Sequence, residues 1–86
     1  MKTHYEVRFL LYHYNSGRGD NAWAEEVKEF ATAEEAFEYF EKVDAAMHGD
    51  DQGAAIVEDL GYYGGFVKEM HGVYKVEVSA TRLEKP

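Results

Sequence analysis

Eighty-six residues suffice for one domain and not for two. The chain has no cysteine, which excludes disulfides and thiolate metal sites, so apolar burial must hold the fold; five Phe, seven Tyr and one Trp supply area for it. Nine Lys and Arg against 17 Asp and Glu give a net −8 and argue against a surface that grips a phosphate backbone.

Tyr5 to Tyr12 reads as a strand, with Tyr5, Val7, Phe9 and Leu11 on one face at period two. Its other face carries His4, Glu6 and Arg8, then Leu10, Tyr12 and Tyr14, so the strand starts half-wet and becomes apolar on both sides. Residues 15–21, rich in Asn, Ser and Gly, predict a loop. Trp23 to Ala31 fits a helix by the spacing of Trp23, Val27 and Phe30, but as a strand those three need a bulge to share a face. The strand is preferred because the next helix has its own start signal, and residues 4–14 and 23–31 then form a hairpin.

That signal is the capping box Thr32-Ala33-Glu34-Glu35. The Thr32 hydroxyl can accept from the Glu35 amide while the Glu35 carboxylate reaches back. Ala36, Phe37, Phe40, Val43 and Met47 then form one apolar stripe, and Gly49 offers a stop. Ala54 to Leu60 reads either as a short helix stopped by Gly61 or, from Ile56-Val57, as the start of a strand. Phe66 to Met70 and Val73 to Leu83 predict a second hairpin turning at His71-Gly72. The sum is an α+β fold: one antiparallel sheet of about four strands, ordered β-β-α-(α)-β-β, with one main helix on one face.

The charge is unevenly spread. Asp20 to Asp59 holds thirteen acids against two bases, a net −11, whereas the flanks together carry +3. Glu34, Glu38 and Glu41 fall at i, i+4 and i+7 on the helix, a negative ridge that costs about 0.2–0.5 kcal/mol per like-charged pair. With Glu25, Glu26, Glu29, Asp44, Asp50 and Asp51 they make a candidate docking surface for a basic protein. Tyr62 and Tyr63, in a Gly-rich loop, would add contact area at low entropic cost. The plainer expectation for the acids is solubility.

Other constellations are weaker. His48, Asp50 and Asp51 with His71 match no metal-ligand spacing, and no metal or cofactor is expected. Ser16 and Ser79 lack the setting of a nucleophile elbow, and Gly17-Arg18-Gly19 is too short for a phosphate cradle. The leading expectation is a non-enzymatic acidic protein that inhibits or regulates a partner by docking on its basic surface. The alternative is a small-ligand or enzymatic domain whose pocket is lined by Tyr12, His13, Tyr63 and His71. Edge strands of a small sheet also leave a homodimer open. No apolar leader or membrane-length run is visible, so a cytoplasmic protein is expected, with no membrane partner and no direct nucleic-acid contact.

In size, acidity and its strand–Thr-x-Glu-Glu–helix join, the chain is similar in kind to short phage and bacterial proteins. Some of these inhibit host nucleic-acid enzymes by imitating the charge of DNA, as an anti-CRISPR-like protein would.

Overall fold

A computed structural model describes residues 2–15 and 20–85. Element order is β1 (His4–Asn15), β2 (Asp20–Phe30), α1 (Ala33–Met47), α2 (Ala54–Asp59), β3 (Gly65–Val76) and β4 (Ala80–Leu83). The strands form one antiparallel sheet in the order β2-β1-β3-β4. The fold is therefore the expected α+β arrangement, with α1 packed on one face.

β1 is the central organiser because its alternation feeds both faces of the sheet. Val7, Phe9 and Leu11 are fully buried and meet Val67 and Val73 of β3, Ala36 and Val43 of α1, and Ile56 and Val57 of α2. At about 25 cal/mol per Å², each such side chain contributes about 1.5–3 kcal/mol when fully withdrawn from water. No charged or polar residue is buried among the described residues.

β2 pairs with β1 without a register break, from Tyr5↔Phe30 to Asn15↔Asp20. Directly paired residues share a face. Phe30 therefore joins the helix side with Tyr5, while Trp23 and Val27 lie on the opposite side with Tyr12 and Arg8. The bulge that would bring all three together is not formed. Asn15, Asp20 and Asn21, expected in the loop, extend the paired strands instead, and residues 16–19, with Ser16 and Arg18, lie outside the described residues.

Thr32 caps α1 as expected: its hydroxyl accepts from the Glu35 amide at 3.2 Å and donates to the Glu35 carboxylate at 3.0 Å. The helix ends at Met47 with His48 as its cap, so Gly49 lies beyond the stop and keeps an ordinary φ. In the ambiguous segment after it, the helix forms rather than the strand. Gly61 explains why. It sits at φ 93° and closes α2 with two bonds, its amide to the Glu58 carbonyl at 2.9 Å and the Tyr62 amide to the Val57 carbonyl at 3.2 Å.

The second hairpin differs from expectation. His71-Gly72 is not a turn; β3 runs straight through it, and the chain reverses at residues 77–79. The register jumps from Arg8↔Gly72 to Phe9↔Met70, leaving His71 as an extra residue. Gly72 at φ 143° supplies the backbone freedom for that bulge. A second jump, between Leu10↔Glu69 and Leu11↔Val67, leaves Lys68 extra. Val78, expected in the last strand, is 81% exposed in the turn.

Candidate functional site

The acidic ridge is built by α1. At 3.6 residues per turn, Glu34, Glu38 and Glu41 fall within about 60° of one another and opposite Val43, the centre of the buried stripe. All three are exposed. Glu41 is paired with Lys85, the base that reaches the ridge from the C-terminal segment. Glu35 is exposed too but is tied to the cap. Lys42, one turn after Glu38, offsets part of the ridge from the helix itself, and the last turn carries no basic residue.

The neighbouring acids divide between sides. Asp44 flanks the ridge, half-buried, with His48 Nδ1 3.7 Å from its carboxylate and 2.9 Å from its carbonyl. Asp50 and Asp51 are exposed in the following turn, where the Asp51 carboxylate accepts from the Gly53 amide at 3.0 Å. Glu25 and Glu29 do not join them. Alternation along β2 turns both to the sheet face away from the helices, where Glu25 lies 3.1 Å from His71 and Glu29 lies 3.3 Å from His4. Glu26 points to the helix side and accepts a hydrogen bond from the Tyr62 hydroxyl at 2.5 Å.

Tyr62 and Tyr63 also part ways. Tyr62 stacks on His13 at 4.3 Å and is half-buried, so packing engages it; Tyr63 is 67% exposed. The hydrogen bond to Glu26 raises the Tyr62 phenol's pKa above its ordinary value, with burial and the Glu26 charge adding to it. Tyr39 is raised as well, first by burial and then by the charges of Asp59 and Glu26.

An open cleft of about 370 Å³ runs between α1 and the end of β2, lined by Phe30, Glu35, Glu38, Tyr39 and Lys42. Tyr39 forms its aromatic wall, 5.3 Å from Phe30 and 6.4 Å from Phe9 between ring centres. Sequence reasoning missed this cleft. The available signal was Tyr39 itself, one turn from Val43 and on the flank of the stripe. Glu38 thus belongs both to the ridge and to the cleft, which gives the acidic side a recess as well as a rim.

The pocket expected from Tyr12, His13, Tyr63 and His71 is not assembled. Tyr12 and His13 are successive strand residues and project to opposite faces, and His71 faces away from the helices beside Glu25. Tyr12 instead packs against Trp23 at 4.9 Å and Phe66 at 5.2 Å on the outer sheet face. His48, Asp50 and Asp51 likewise do not converge with His71.

Compared with known proteins, the chain matches no family model, no curated protein and no solved structure. No helix among the described residues is long and apolar enough to cross a membrane.

Proposed function

We propose that the chain is a non-enzymatic binding protein whose α1 ridge docks on a basic surface of another protein and thereby blocks or regulates it. One observation carries this reading. Glu34, Glu38 and Glu41 are exposed together on the helix face opposite the core, at a cost in helix stability that packing does not require. Asp44 flanks the ridge within α1, and Asp50 and Asp51 extend the same charge past the end of the helix. Glu25 and Glu29 stand on the other face and are not part of the dock.

A protein whose basic groove otherwise holds nucleic acid is the partner class this charge suits. Long-range attraction would speed and orient the encounter, and the cleft beside Tyr39 would accept a Lys or Arg stem against its aromatic wall.

The test is affinity capture from the source cells with three baits: the parent chain, E34Q/E38Q/E41Q, and E25Q/E29Q. The proposal expects a partner held by the parent and by E25Q/E29Q, released by salt, and bound about tenfold more weakly by the triple variant, as three exposed ion pairs together warrant. Equal capture by all three baits, or capture indifferent to salt, would refute it.

A further inference from the structure

The sheet face away from α1 carries a second constellation, independent of the proposed dock. His4 and Glu6 stand two residues apart on β1 and so share a face, and Glu29 is the direct cross-strand partner of Glu6. His4 Nε2 lies 2.9 Å from Glu6 Oε2 and 3.3 Å from Glu29 Oε1. The three ligand atoms all lie within 4.8 Å of one another.

The two separations from His4 are those found between ligands of one coordination shell. Two donors about 2.0–2.1 Å from one ion and subtending 90–110° stand about 2.9–3.4 Å apart. Two carboxylate oxygens also converge on one imidazole nitrogen, which has at most a single proton to offer between them. A cation seated between the three would satisfy both carboxylates at once, taking the place of that proton.

The surroundings hold the ligands in place. Arg8 donates to Glu6 Oε1 from Nε at 3.0 Å and from its terminal nitrogen at 2.7 Å, which leaves Oε2 turned toward His4. Arg8 is itself fixed, its guanidinium 4.4 Å above the Tyr74 ring. Such outer partners orient first ligands in metal sites. Glu6 is only 13% exposed, whereas His4 and Glu29 are 35% and 69% exposed, so the site is anchored on one side and open on the other.

We infer that His4, Glu6 and Glu29 form a three-ligand site for a borderline divalent transition ion such as Zn²⁺, with water completing the shell. One imidazole nitrogen with two carboxylate oxygens suits Zn²⁺ and its neighbours, whereas Mg²⁺ and Ca²⁺ prefer oxygen alone.

The test titrates the intact chain with Zn²⁺ and follows the imidazole resonances of its histidines by NMR. His4 is expected to shift saturably at one ion per chain, ahead of His13, His48 and His71, and to ignore the same concentration of Mg²⁺. Glu29→Gln, on an exposed edge-strand side chain that the fold does not need, is expected to weaken binding at least about tenfold, and Arg8→Lys by about 10–100-fold. The amide spectrum of each variant reports that it is folded. The site is refuted if His48 or His71 responds at zinc levels as low as His4 does, if Mg²⁺ shifts His4 equally, or if folded Glu29→Gln binds as the parent does.

Discussion

Along β1, Val7, Phe9 and Leu11 point at the helices and are fully buried, whereas Glu6, Arg8, Leu10 and Tyr12 point away from both. The same twelve-residue strand thus builds two unlike surfaces. On the helix side, Val7, Phe9 and Leu11 are completely buried, Phe30, Phe37 and Phe40 are packed partly buried around them, and Tyr62 and Glu26 meet at the margin. On the outer side, half-buried aromatics alternate with His4–Glu6–Arg8 and Glu25–His71 pairs, and Trp23 remains 56% exposed. The contrast separates the residues that make the fold from those free to meet other molecules. The core is concentrated on one face, and both the α1 ridge and the His4–Glu6–Glu29 group lie outside it.

The largest expected effect tests the buried face. Phe9→Ala should cost about 3–5 kcal/mol, a large share of the roughly 4–13 kcal/mol available to a chain of this length. Leu10→Ala, one residue along on the other face, should cost about 1 kcal/mol, because its side chain is only partly withdrawn from water. Urea unfolding of the two variants measures the difference, and equal costs would abolish the distinction between the faces.

The bulge in β3 comes next. Gly72→Ala places a Cβ on a backbone at φ 143° and should destabilise by about 1–3 kcal/mol. A thermal shift of the opposite sign would show that the strand can be straightened there. Thr32→Ala should cost about 1 kcal/mol by removing the α1 cap, measurable by chemical denaturation.

A margin contact provides a pH test. The Tyr62 phenol holds its proton more tightly in the folded chain than in the unfolded one, because its hydroxyl donates to Glu26. Its contribution is therefore fully present below about pH 10 and is lost as pH rises through the elevated folded pKa. Tyr62→Phe should lose about 1 kcal/mol at neutral pH and should show a shallower fall in stability above pH 10 than the parent. An identical alkaline limb for the two would separate that fall from Tyr62.

The smallest effect has the opposite sign. E34Q/E38Q/E41Q should leave stability unchanged or raise it by no more than about 0.5 kcal/mol, because loss of the Glu41–Lys85 pair offsets part of the relieved repulsion. A marked loss of stability would mean that the ridge supports the fold instead of facing a partner.

The strongest sequence signals were local. The Thr32–Glu35 box, the α1 stripe and the period-two face of β1 each reside within a few residues, and each appears in the fold as read. What escaped the sequence depended on register between distant segments. His71-Gly72 has turn chemistry, but only its pairing with Arg8 and Phe9 makes it a bulge within a strand. Glu25 and Glu29 look continuous with the acids of α1, yet strand alternation sends them to the opposite face. His4, Glu6 and Glu29 meet only because Glu6 pairs with Glu29 across the hairpin, and nothing in their spacing of 23 residues along the chain signals it. The Tyr39 cleft depends likewise on how α1 lies against Phe30.

The docking proposal is tested most directly by photo-cross-linking in the source cells from two exposed positions on opposite faces. A photoreactive residue replaces Ala45, beside the ridge, or Val27, on the outer sheet face. The account predicts a discrete adduct from position 45 that disappears in high salt, and no such adduct from position 27. An adduct from position 27 alone, or one from position 45 that survives high salt undiminished, would contradict it.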